Sequence, residues 1–262
     1  TVIVRSSDPE AWVADGLPVD SDRVNTLLNA LTTQDPGYPI ATSEAATKRF
    51  RVGPDAFERE LILESAAGEF TVYLGSSPSF RNIHASRAGE TRVFVLELNS
   101  YDAPAGIDQW LDQTVLAQRD ISELRVAGAV FTRDEESWSR DDGIDFDQAA
   151  LDTLLGVLEN LRVTGTADPL ALDATLLIDG AAESGPFSLA LYHDEENDQY
   201  FISEVGYSTF FSTSSYDAER LADNVALVIN PPSMDDSATE TIDASEASSG
   251  EDTSGIPESA SP

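Results

Sequence analysis

Residues 25–31, "NTLLNAL", and residues 152–158, "DTLLGVL", decide how this chain is read, because they align without a gap and each closes a longer matching stretch. The first ends "LPVDSDRVNTLLNAL" (17–31) and the second ends "IDFDQAALDTLLGVL" (144–158). Val24, Leu27, Leu28 and Leu31 fall on one face at helical spacing, and Leu151, Leu154, Leu155 and Leu158 make the same stripe. Asp20 or Ser21 stands where the first helix needs a cap. Each stretch therefore predicts a helix that buries its leucines.

The likeness extends in both directions. Upstream, "VIVRSSDPEAW" (2–12) and "VFTRDEESW" (130–138) set Val2, Arg5 and Trp12 beside Val130, Arg133 and Trp138. Downstream the period falls to two. "RELILESAAGEFTVYLG" (59–75) and "DATLLIDGAAESGPFSLALY" (173–192) both read as strand, small-residue turn and strand, with Phe70, Val72 and Leu74 matching Phe187, Leu189 and Leu191. "HASRAGETRVFVL" (84–96) and "FISEVGYSTFFST" (201–213) give two further strands each, turning near Gly89 and Gly206. Both meanders lead into Tyr-Asp-Ala, in "NSYDAPAG" (99–106) and "SSYDAERL" (214–221).

A repeated supersecondary unit follows from these matches. The expected fold class is α+β, with two tandem copies of a helix plus antiparallel β-meander unit. Residues 1–119 form the first copy, including a connecting helix over 105–120 with Trp110 and Leu111 facing inward, and residues 120–230 form the second. The remainder, 231–262, is an acidic tail rich in Ser, Asp and Glu without periodic apolar positions; its composition predicts disorder. Trp12 and Trp138 are expected to anchor the two cores under the leucine stripes, and Tyr101 and Tyr216 to pack on their own units. Asp102 and Asp217 would cap the turn or helix that follows.

Composition narrows the function classes. With 262 residues and 41% hydrophobic composition the chain can fill one large core or two smaller ones. A net charge of -33, with Lys48 the single lysine, excludes a nucleic-acid partner and disfavours anionic membrane surfaces. The charge is uneven: 17 acids against 10 bases up to Arg119, 23 against 5 to Asn230, and 8 against none beyond. Such acidity reads as a solvated surface, of the kind that suits a saline setting. Without cysteine there is no disulfide, thiolate ligand or cysteine nucleophile. No apolar run reaches the ~18 residues that span a bilayer.

The motifs of catalysis are sparse. Of the two histidines, His84 and His193, neither belongs to an H-x-x-x-H or H-x-H pair of the zinc type. G-x-S-x-G, S-x-x-K with its partners, the P-loop and G-x-G-x-x-G are missing. With 48 acids, a pair of carboxylates signals nothing about glycosidase chemistry. Two acidic runs, "RDDGIDFD" (140–147) and "HDEENDQ" (193–199), offer Asp145, Asp147, Asp194 and Glu196 as calcium ligands, although the order of an EF-hand loop is absent. Hairpin solvation and helix capping account for the same acids. The reading is a chain that is not an enzyme and takes no cofactor. Lys48, Arg49, Arg51 and Arg59 cluster in the less acidic first copy and are the expected contact for an acidic partner.

The order of elements resembles the family called domain of unknown function 4340. The resemblance is carried by Trp12 with "LPVDSDRVNTLLNAL", then "FTVYLG" (70–75), "RNIHASRAGETRVFVLE" (81–97) and "DQWLDQTVLAQRDISELRV" (108–126), and Trp138 with "DTLLGVL". It covers about residues 2–230. It implies a repeated domain outside the cytoplasm, anchored in the membrane near its N-terminus, that accompanies gliding-motility-type ABC transport systems. The expected role is thus a non-catalytic binding or scaffold module of the cell envelope, periplasmic or cell-surface, whose partners are envelope proteins such as transporter membrane subunits. A calcium-dependent hydrolase or ligand-binding protein using the acidic loops is the alternative. The chain departs from the family pattern where "ALYH" (190–193) replaces the "YLG" of the first copy. Because "ISELRVAGA" (121–129) precedes "VFTR" in the second copy, a like segment and an anchor are expected ahead of Thr1 in the precursor.

Overall fold

Both leucine stretches fold as the spacing predicts. The computed structural model describes residues 1–135 and 137–230; the acidic tail lies outside the described residues. Around the first stretch stand β1 (Val4–Arg5), β2 (Trp12–Ala14), β3 (Leu17–Pro18) and α1 (Ser21–Thr32). The Asp20 carboxylate accepts from the Arg23 N–H at 3.0 Å and so starts α1 one residue ahead of Ser21. Next come α2 (Glu44–Phe50), β4 (Val52–Gly53) and β5 (Ala56–Phe57), followed by a meander of β6 (Arg59–Ser65), β7 (Gly68–Leu74), β8 (Ile83–Arg87) and β9 (Phe94–Leu96).

Beyond residue 120 the order is β10 (Glu123–Val126), β11 (Ala129–Asp134), β12 (Ser137–Arg140), α3 (Gln148–Glu159) and β13 (Gly165–Ala167). The chain then runs through β14 (Leu176–Ala182), β15 (Gly185–Asp194), β16 (Gln199–Glu204), β17 (Phe210–Thr213) and α4 (Ser215–Ile229). Every strand pairing is antiparallel, so the fold is mixed α+β.

The sheets divide unequally. Strands β12-β11-β10-β14-β15-β16-β17-β13 form one eight-stranded sheet, whereas the earlier strands make a three-stranded sheet β1-β2-β3, a four-stranded sheet β6-β7-β8-β9 and the small β4-β5 pair. The difference is made by β10. It pairs with β11 on one side and β14 on the other, Leu124 opposite both Phe131 and Gly180. A side chain at Gly180 would overlap the Glu123 carbonyl and the Phe187 ring, which is why this close crossing carries glycine.

The buried apolar residues follow the same division. One cluster runs from Leu111 to Val228 and is built on Leu151, Leu154 and Leu158 of α3 with Phe131, Ile178 and Phe211 of the sheet. Another gathers Val24 and Leu27 of α1 with Leu74, Ile83 and Trp110, and a small third one holds Ala46, Val52, Tyr73 and Val93. Trp12 and Trp138 pack, partly buried, against the second and first of these clusters respectively. Trp12 also donates its indole N–H to Asn25 at 3.2 Å and lies under the Arg5 guanidinium.

Three expectations need correction. Residues 105–120 hold only a 3-10 turn at Ile107–Gln109, not a connecting α-helix. The segment instead laces the molecule: Leu111 bridges Val19, the Gln118 N–H donates to the Leu158 carbonyl, and the Val163 N–H donates to that of Gln113. Trp110 and Leu111 do point inward. Tyr101 and Tyr216 are not anchors, being 76% and 69% exposed. What the repeated tripeptide secures is its other two residues. Asp102 returns a bond to the Asn99 N–H at 2.8 Å, and Asp217 accepts from the Ser214 hydroxyl at 2.7 Å, each closing a reciprocal cap, while Ala103 and Ala218 are buried.

The third correction is α2, an element the reading missed. Ser43 caps it, its side chain accepting from Ala46 N–H at 3.3 Å, and Arg51 ends it in the left-handed region at φ 59. The Ser43-Glu44 start was the available signal. This helix also explains "YLG": a side chain at Gly75 would overlap the Phe50 and Arg51 carbonyls at the end of α2. No helix lies between α3 and β14, so Tyr192 is tolerated at the matching place.

Candidate functional site

The most distinctive surface is an apolar groove of about 750 Å³ between β1 and the outer edge of β6. Leu61 and Leu63 of β6 share its floor with Leu27 and Leu28 of α1, and Ile3 and Trp110 close its sides. Strand β6 pairs only with β7, and among the described residues no backbone group from elsewhere bonds to its other edge. Leu61, Leu63, Leu28 and Leu31 stay partly open in consequence. Around α3 the corresponding volume is filled: Leu124 of β10, Leu158 and Ile178 are all fully buried.

A second cleft, polar and about 770 Å³, lies where the N-terminal end of α1 meets residues 108–114 and Arg162. Its groups are engaged in holding the chain together. Asp108 accepts from both the backbone N–H and the hydroxyl of Thr166 at 2.8 Å, and Arg23 donates to the carbonyls of Gln109 and Tyr101 at 2.6 and 2.7 Å.

The calcium candidates do not come together. Asp147 is the N-cap of α3, accepting from the Ala149 and Ala150 N–H groups at 2.8 and 3.2 Å, and Asp145 is exposed just ahead of it. Asp194 lies in the β15–β16 hairpin, where the Asn197 side-chain amide at 2.8 Å, with backbone donors from Glu196 and Asn197, holds its carboxyl below the usual carboxylate range. Glu196 is exposed in the same turn. Among the described residues no group of three His, Asp or Glu converges as a metal site would require.

Both histidines are structurally occupied. His84 is buried against Phe50, ring centroids 4.3 Å apart, with Nδ1 3.0 Å from the Ser76 hydroxyl. His193 stacks on Tyr200 at 4.2 Å and faces Asp198 at 3.2 Å.

The basic cluster is split by the fold. Lys48 and Arg49 occupy the exposed last turn of α2, with the Arg49 guanidinium over the Phe50 ring. Arg51 beside them pairs with Glu58 at 3.0 Å yet keeps an open side chain. Arg59 turns away, its guanidinium donating to the carbonyls of Ala103 and Glu58 at 3.0 and 2.7 Å. Three of the four cations thus make an outward patch, and the fourth braces one end of the apolar groove.

With this arrangement in view, a family model described as domain of unknown function (DUF4340) matches residues 12–177. The chain belongs to the DUF4340 family. That match spans α1, the first meander, the lacing segment and α3 with its flanking strands, the same stretches on which the sequence resemblance rests. No curated protein and no solved structure matches the chain. Among the described residues no helix of this DUF4340 protein is long and apolar enough to cross a membrane.

Proposed function

We propose that this DUF4340 chain is a non-catalytic binding or scaffold module of the cell envelope, an accessory of an ABC-type transport system built as two tandem copies of one helix-and-meander unit. The observation that carries the binding role is the cationic end of α2, which stands exposed on a chain of net charge -33. Its outward patch of Lys48, Arg49 and Arg51 is a cationic contact for an acidic partner.

Support for the duplication comes from register. Arg5 lies opposite Trp12 across β1–β2, and Arg133 lies opposite Trp138 across β11–β12. Phe70 opposes Leu63 and Val72 opposes Leu61, just as Phe187 opposes Gly180 and Leu189 opposes Ile178. Family membership supports the envelope setting through the resemblance stated above. A pull-down with the 262-residue chain against solubilised envelope membranes tests the role. Recovery of transporter membrane subunits, reduced by Arg49→Glu with Arg51→Glu, is the expected result; recovery of no protein by the folded chain would overturn the reading.

A further inference from the structure

We propose that the cavity between Trp138 and α3 is a binding slot for an aliphatic stem ending in a guanidinium, the shape of an arginine side chain or of a small guanidine compound. The slot goes beyond the role proposed above and stands apart from the α2 patch, so loss of either leaves the other in place.

The cavity, about 380 Å³, opens where β12 meets α3. Trp138 and Leu155 give it apolar walls, and Gly156 lies between Asp152 and Glu159, which are two helical turns apart, about 10 Å along the axis. Glycine weakens the interior of a helix, so one in the middle of α3 needs a reason. Packing does not supply it: a Cβ built at Gly156 meets nothing within 4 Å among the described residues. The bare backbone leaves room for a group laid across it. In the aligned α1 stretch the place of Gly156 is filled by Asn29, and that of Asp152 by the neutral Asn25, which accepts the Trp12 indole N–H.

The molecule itself shows what sits well on such a tryptophan. Arg5, opposite Trp12 across β1–β2, holds its guanidinium 4.3 Å from the ring centroid. Arg133 lies opposite Trp138 in the same register and stands at the rim of the cavity, yet among the described residues no guanidinium covers that indole.

A cation from outside finds the indole face for its charge, Leu155 and Gly156 for its stem, and two exposed carboxylates for its N–H groups. Among the described residues neither carboxylate is in an ion pair, and Asp152 accepts from the Gln148 side chain at 3.0 Å. Guanidinium is favoured over ammonium because its flat face stacks on a ring while its edges reach carboxylates. The 23 acids against 5 bases of residues 120–230 draw cations toward this half and repel anions.

The test titrates the 262-residue chain with the capped peptide Ala-Arg-Ala and, separately, with agmatine. Both are followed at the indole N–H resonances of the three tryptophans, that of Trp138 being assigned by its loss in Trp138→Phe. Saturable shifts at Trp138, with Trp12 and Trp110 unmoved, are expected, and the tighter ligand tells whether the source is a partner's arginine or a free guanidine compound. The peptide with citrulline in place of arginine, alike in size and uncharged, should bind roughly tenfold more weakly. On the protein, Gly156→Asn should block the slot and Asp152→Asn should weaken binding by roughly tenfold, each with the thermal transition retained, because α1 carries asparagine at both places.

No shift at Trp138 with either ligand, or citrulline bound as well as arginine, would overturn the slot. Binding seen only after Arg133→Ala would overturn it as well, since the indole would then belong to the chain's own arginine. Shifts indifferent to both Gly156→Asn and Asp152→Asn would place the ligand elsewhere and sink the proposal.

Discussion

At the scale of residues, the Tyr-Asp-Ala repeat shows how a motif and its use differ. The tyrosines draw the eye, yet the capping aspartates and buried alanines are what the backbone needs. Replacing Tyr101 or Tyr216 by Ala should change stability by no more than about 0.5 kcal/mol, as exposed side chains do. Ala218→Leu, forced into a filled interior against α3 and the sheet, should cost about 1–3 kcal/mol. Chemical denaturation of the three variants distinguishes the two classes.

Titration gives a further residue-level check. Burial, then neighbouring carboxylates, raises Tyr73, Tyr200 and Tyr207 above the ordinary 10.0, with Glu60 beside Tyr73 and Glu204 beside Tyr207. The neutral phenol is thus favoured in the folded state. Its contribution is complete below pH 10.0 and is lost as pH rises through the higher folded values. A near-ultraviolet titration should show tyrosines ionising late, and Tyr207→Phe should remove one of them; a curve with every tyrosine ionising at its ordinary value would contradict this.

At the scale of elements, the two long leucine helices were legible because each carries its cap and its stripe within fifteen consecutive residues, and the period changes further along the chain. Asp147→Ala should therefore cost about 1 kcal/mol, the ordinary loss of an N-cap, measured by thermal unfolding. The meander strands were equally readable from alternation. What escaped was short or non-periodic. Seven residues of α2 offer no stripe, and the lacing segment 105–120 shows helix-like composition while its bonds are made to Pro18, Leu158 and Val163, partners distant in sequence. For the site, the basic cluster was visible as four neighbouring cations, but only the fold separates Arg59 from the others. The groove itself had no linear signal, because the residues that line it come from β1, α1, β6 and residues 103–110, which are distant in sequence.

At the scale of the whole molecule, charge sets the behaviour. A net charge of -33 repels itself at low salt. Raising ionic strength from about 0.1 M to about 1 M shortens the screening length from about 10 Å to about 3 Å, so the midpoint of thermal unfolding should rise with added sodium chloride. A midpoint that falls over that range would show that attractive pairs, such as Arg51–Glu58 and Arg140–Asp142, outweigh the repulsion.

The exposed last turn of α2 has a practical corollary. Its Lys48 carries the chain's one ε-amine, so an amine-reactive dye or cross-linker finds a single side-chain address, set in the cationic patch and within a helix that has no counterpart between α3 and β14. Any partner captured through that amine was standing at α2 when the bond formed, and with the terminal α-amine blocked a labelled chain reports on that spot without a single substitution.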